Sequence, residues 1–197
     1  MRKREVWKEA VDINLQFEQA LASQCAPALQ GVKPSNLMVC FPKDYPDWSA
    51  LLQTYQRMLA PAGIILTTIC RCERRWLLLV YRKACLEQQL KSPPVHALLK
   101  EEGYPVERGV DAVVDHLRTR MQDGFAHEIG LLLGYPMEDV VGFCRNHGRN
   151  YRYCGQWKVY SDVDRAKAMF SRFERCRDDL CSMIEHGVPL SFALGVA

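Results

Sequence analysis

The chain has 197 residues, 48% of them hydrophobic and 25% charged, with 26 Lys and Arg against 23 Asp and Glu for a net charge of +3. This is the balance of an ordinary globular protein able to bury a good core, and its charge is too small and too dispersed to draw nucleic acid or an anionic membrane as a partner. The N-terminal MRKREVWKEAVDINLQFEQ opens on charges without the apolar stretch of a signal peptide, and no run approaches the roughly 18 apolar residues of a membrane span.

A cytoplasmic protein is therefore expected. Its nine cysteines, an odd number, favour reduced thiols over a disulfide framework.

Val6, Ala10, Ile13, Phe17, Ala20 and Leu21 recur at helical spacing and predict a first helix ending between residues 23 and 27. Pro27, Gly31 and Pro34 interrupt CAPALQGVKPSNL, which places Cys25 at the mouth of a structured loop. Residues 37–41 form a short apolar run that suits a buried strand. Asp47 caps a helix carrying Trp48, Leu51, Leu52, Tyr55, Met58 and Leu59, which Pro61-Ala62-Gly63 ends. The β-rich runs 64–69 and 76–81 flank the polar CRCERR and read as a hairpin.

After Arg82 the pattern turns helical. One helix spans residues 84–90, and a second is capped by Ser92, carries Pro93 in its first turn and stops at Gly103. A third shows the stripe Val110, Val113, Val114, Leu117 and Met121, ended by Asp123-Gly124. Residues 127–133 are short and apolar, Pro136 opens a helix over 137–144, and His147-Gly148 closes it. Residues 151–154 and 157–160 pair as a small hairpin across Gly155-Gln156. Ser161 with Asp164 approximates a capping box for a last helix that turns Ala166, Met169, Phe170, Phe173, Cys176, Leu180 and Ile184 inward and stops at Gly187.

These elements predict an α+β fold, a small β-sheet covered by helices with a helix-rich C-terminal half. They form a single domain over residues 1–197, with an α/β part and its hairpin in 1–90 and a mainly helical part in 91–197.

The densest chemistry lies between Phe125 and Tyr160. His127-Glu128 lacks the second His of the zincin motif, because position 131 is Leu. The pair reads either as a general base held by a carboxylate or as a helix-start pair bonding backbone groups. Cys70-x-Cys72 is the tightest thiol pair and lies among Arg71, Arg74 and Arg75, yet no second pair completes a zinc site. No metal is expected. Cys25 is a candidate nucleophile with His127 as its base and Glu128 beside it, or else it packs its loop. Lys33, Arg145, Arg149, Arg152 and Lys158 are candidates for a basic pocket around a small anion, or for a solvated face. Asn36, Tyr135, Trp157 and Tyr160 complete the candidate ligand-binding set with Lys33 and Lys158. Without a phosphate loop, nucleophile elbow or dinucleotide fingerprint, no cofactor class follows.

The blocks CAPALQGVKPSNL, HEIGLLLGYPMEDVVGF and CGQWKVY, with the closing helix, resemble an uncharacterised family of bacterial proteins, found mainly in anaerobes and marked by a Gly-Tyr-Pro signature, here Gly134-Tyr135-Pro136. The family's pattern has Pro before the His-Glu pair and often His before the front Cys, where this chain has Ala126 and Gln24. The second departure removes a partner beside Cys25. The resemblance implies no activity, fold or cofactor.

Two functional expectations follow. One is a thiol- or redox-linked enzyme, or a binder of a metabolite or cofactor, with a pocket between the Cys25 loop and residues 127–160. The other is a non-catalytic interaction or regulatory protein that presents Gly134-Tyr135-Pro136 and the Trp157 strand to a protein partner.

Overall fold

A computed structural model of the chain describes residues 12–72 and 75–196. Helix α1 (Ile13–Leu29) begins at Asp12, whose carboxylate accepts from the amides of Asn14 at 2.9 Å and Leu15 at 3.3 Å, an N-cap. The expected helix positions Val6 and Ala10 lie outside the described residues.

The end of α1 corrects the expectation from its prolines. The helix runs through Cys25 and holds Pro27 inside its last turn. Phe17, Leu21, Cys25 and Leu29 are wholly buried along it, and burying each large side chain contributes about 1.5–3 kcal/mol. Their sum outweighs the roughly 3 kcal/mol cost of an interior proline. The amide of Ala28, beside the proline, donates to Asn36 Oδ1 at 3.1 Å. Arg82 closes the helix by donating from Nε to the Leu29 carbonyl at 3.0 Å.

Strands β1 (Ser35–Cys40), β2 (Ile64–Arg71) and β3 (Trp76–Arg82) form an antiparallel sheet in the order β1-β3-β2. The predicted hairpin is β2–β3, and β1 joins its far side, so β3 is central and buried from Leu77 to Tyr81. Such a strand reads as a continuous apolar run because both its faces are covered.

Met38, Cys40, Ile64, Leu66, Leu78 and Val80 face one core, shared with α1, α2 (Trp48–Leu59) and α8 (Val163–Glu185). Leu37, Val39, Leu77, Leu79 and Tyr81 face a second. That side is covered by α3 (Lys83–Leu90), α4 (Pro93–Glu101), α5 (Val110–Asp123), α6 (Ile129–Leu132) and α7 (Met137–Asn146). An irregularity between Thr68 and Cys70 shifts the β2 register, so Cys70 lies opposite Leu77 and packs with the second core.

The molecule is thus an α+β sandwich of helices on both faces of a small sheet. The two faces divide it more deeply than residue 90 does, because α8 returns from the C-terminal half to pack on α1. As edge strand, β1 has backbone groups that β3 does not reach, and α1 covers them: the Val39 amide donates to Gln24 Oε1 at 3.0 Å.

The second hairpin is shorter than predicted, with β4 (Tyr153–Cys154) paired to β5 (Lys158–Val159). A third small core of Trp157, Val159, Ala166, Phe170 and Phe173 joins it to α8. The cap of α8 is Asp162, which accepts from the Arg165 amide at 2.9 Å, and Ser161 is spent elsewhere. A last short helix, α9 (Leu190–Ala193), follows Gly187. Among the described residues no helix is long and apolar enough to cross a membrane.

Gly134 is the tightest joint between the halves. It follows α6 with φ of +73°, and a Cβ there would lie 2.6 Å from Pro34 Cδ. Gly134→Val therefore combines backbone strain with a clash and is expected to cost about 2–5 kcal/mol. Ala126→Pro removes only an amide bonded to Met121 Sδ and should stay within about 1 kcal/mol of wild type. Urea denaturation of the two variants checks this, and equal midpoints for Gly134→Val and wild type would refute it.

Candidate functional site

A cleft of about 310 Å³ opens on the second face of the sheet, at the lower end of the range for small-molecule sites. Its walls come from Leu37 of β1, Phe125 and His127 before α6, Ile129 and Gly130 of α6, Tyr135, Val140 and Phe143 around α7, and Trp157 and Lys158 of the second hairpin. Leu133 and the buried carboxylate of Asp139 complete the wall, which is mostly aromatic and aliphatic with one ammonium and one carboxylate.

Short connections bring these pieces together. Helix α6 is a single buried turn whose carbonyls are taken by side chains: Ser35 Oγ donates to Leu132 O at 2.7 Å and Gln89 Nε2 to Leu131 O at 3.0 Å. Gly130 lets α7 approach, since a Cβ there would lie 2.8 Å from a Val140 methyl. Pro136 then opens α7, as the sequence predicts.

Asp139 holds the far wall in place. It is 2% exposed and accepts four hydrogen bonds, from Trp157 Nε1 at 2.8 Å, the Tyr160 amide at 2.8 Å, the Ser161 amide at 2.9 Å and Ser161 Oγ at 2.8 Å. A buried carboxylate persists where donors replace its water. Trp157 is thereby fixed against Tyr135, their rings stacked 4.6 Å apart at 24°. Phe170 meets the other side of Trp157 edge-on at 4.4 Å.

Of the residues singled out from sequence, Tyr135, Trp157, Lys158 and His127 line the cleft. Lys158 Nζ donates to Gly148 O at 2.7 Å and lies over the rings of Tyr151 at 5.1 Å and Phe143 at 5.8 Å. The exposed His127 imidazole packs between Phe125 and Phe143, with centroids 5.4 and 4.9 Å away.

Glu128 does not join His127. Its carboxylate accepts from Tyr104 Oη at 3.0 Å and from Arg120. Burial alone would raise the Glu128 carboxyl, but those bonds and the guanidinium charge hold it below the usual carboxylate range. The pair thus splits into a rim imidazole and a structural carboxylate tying α6 to α5.

Cys25 lies away from the cleft, wholly buried on α1 in the first core. Burial pushes its thiol far above the ordinary value, and Lys33 offsets this only in part. Asn36 is a structural acceptor for the Ala28 amide. Tyr160 stands behind the cleft, its ring against Gly142 and its hydroxyl buried without a partner.

Lys33 is 7% exposed, with its ammonium 5.1 Å from the Tyr135 centroid and 5.3 Å from that of Phe173. Burial lowers its pKa from 10.5 to about 8. It therefore backs the Tyr135 wall instead of facing a ligand.

Sequence reasoning passed over Asp139, Phe143 and Leu37. An acid in the first turn of a helix is ordinary, and only the approach of the second hairpin shows what Asp139 does. Among the described residues no group of three or more His, Cys, Asp or Glu is placed to hold a metal ion.

A family model described as a protein of unknown function (DUF3793) matches residues 21–192. The chain belongs to that family. The match runs from within α1 to α9 and takes in every residue of the cleft. No curated protein and no solved structure matches the chain.

Two outcomes test this geometry. Asp139→Asn keeps an acceptor for only one side of the cluster and turns an amide donor toward either Trp157 Nε1 or the Ser161 pair, so it should cost about 2–4 kcal/mol, against about 1 kcal/mol for Ser161→Ala. Equal midpoints for the two variants in urea would contradict the role of Asp139.

Lys33→Met should be more stable than wild type at pH 7 by about 1–3 kcal/mol, the desolvation cost less the cation–π attraction. Below pH 8 Lys33 is charged in folded and unfolded chains alike and the cost is carried in full. Between about 8 and 10.5 the folded chain releases the proton first, so the gap between variant and wild type should narrow as pH rises. Melting temperatures of both proteins from pH 7 to 10 measure it, and a constant gap would mean that Lys33 keeps its ordinary pKa.

Proposed function

We propose that the protein binds a small anionic metabolite or cofactor in the cleft, with the apolar body of the ligand against Tyr135, Phe143 and Trp157 and its charge on Lys158. The observation that carries the reading is the placement of Lys158. Its ammonium lies at the edge of an apolar wall, held by Gly148 O and two aromatic rings, and makes no ion pair with a described carboxylate. Such a group repays its desolvation when an anion arrives.

A ligand site is supported over a protein-docking surface by the state of the two rings at issue. Trp157 is buried and Tyr135 is stacked on it, so both act as wall and leave little face for a partner. The thiol-enzyme reading draws no support from Cys25, whose burial leaves no path to a substrate. His127 supplies an imidazole at the rim, positioned to touch the ligand. Nine cysteines suit a reducing, cytoplasmic setting.

Native mass spectrometry of protein purified anaerobically from cells should show a non-covalent adduct. Its affinity should fall about 10–100-fold in Lys158→Met, the worth of one charged hydrogen bond. A bare mass together with no thermal shift from any anionic metabolite in a panel would reject the proposal.

A further inference from the structure

We infer that the ligand is a phosphorylated metabolite with a flat ring system, its ring in the cleft and its phosphate on Lys158 and the arginines of the 149–152 segment. The inference rests on the cleft reading above and specifies its ligand class. In a chain with nearly balanced charge, residues 140–161 contain no Asp or Glu, yet carry Arg145, Arg149, Arg152 and Lys158, with His147 among them. Of the two acids that bound this run, Asp139 is buried and saturated by four donors, and Asp162 caps α8 through the Arg165 amide.

Arg145, His147, Arg149 and Arg152 are exposed, and no described carboxylate pairs with any of them. Arg152 donates from Nη1 to the Ser161 carbonyl at 2.6 Å. The segment meets the cleft wall where Lys158 Nζ reaches Gly148 O at 2.7 Å and the Tyr151 ring at 5.1 Å, and where the Gly148 amide donates to Phe143 O at 3.0 Å. The Lys158 ammonium thus marks the boundary between the apolar cleft and the basic segment.

The class of ligand follows from charge and shape. A carboxylate needs one cation, whereas a phosphate brings up to two charges and three acceptor oxygens, which several guanidiniums and an ammonium satisfy together. The wall beside that charge consists of ring faces and edges from His127, Tyr135, Phe143 and Trp157. A cleft of about 310 Å³ admits a ring system of two or three fused rings and leaves the phosphate outside, at the segment.

Calorimetric binding of two matched pairs, adenosine with its 5′-monophosphate and riboflavin with its 5′-phosphate, tests the inference. In at least one pair the phosphorylated member should bind at least 10-fold more tightly. That advantage should vanish in Arg149→Gln, an exposed position, while binding of the bare ring persists. Equal affinity within both pairs, or a phosphate preference untouched by that variant, would overturn it and leave the cleft reading standing. If neither pair binds but native mass spectrometry shows an unphosphorylated adduct lost in Lys158→Met, the phosphate inference fails and the cleft reading survives. No binding together with a bare native mass ends both.

Discussion

The buried carboxylate of Asp139 is the interaction on which the shape of the site depends. Its four donors come from Trp157, the Tyr160 amide and Ser161, all in the connection between α7 and the start of α8. Without that acceptor the buried indole N–H would be left unpaired at about 1–3 kcal/mol, and two half-buried amides would lose their partner. Because Trp157 is oriented by this bond, it stacks on Tyr135, and because Tyr135 follows Gly134, the stack is fixed to β1 through Pro34. One acid thus couples the hairpin, the α6–α7 joint and the sheet.

The sheet explains why so small a hairpin can be held so firmly. Three strands alone bury little, but β3 lies between them with both faces covered, and helices pack on each side. Helix α8 closes one face against α1 and, through Phe170 and Phe173, also carries the third core under Trp157. The two-residue strands β4 and β5 would be marginal in water. Here they are an extension of the α8 packing.

Charge in the molecule is arranged by depth. Glu128 and Arg120 pair to join α5 to α6, and Arg82 closes α1 on the Leu29 carbonyl. Lys33 is buried behind Tyr135 among aromatic rings and near the Cys25 thiol, an expensive placement that burial expresses as a lowered pKa. Lys158 at the cleft and the exposed Arg149 and Arg152 beside it pair with no described carboxylate. That unanswered charge at the rim gives the ligand reading its physical content.

Most helices and the β2–β3 hairpin could be read from the sequence because periodicity, caps and breakers act locally: Asp47 caps α2, Gly103 and Gly187 follow helices, and Pro136 opens α7. The α+β class follows from the same local signals, and most of the cleft wall lies in the stretch 125–160 that the sequence marks as dense. Tertiary packing decided the rest. It carried α1 through Pro27 and so buried Cys25, because a fully covered helix face outweighs one lost amide bond. It separated His127 from Glu128, sent Lys33 behind the wall and gave Asp139 its donors. Those outcomes depend on which side chains meet from distant positions, and no local pattern in a single sequence encodes that meeting.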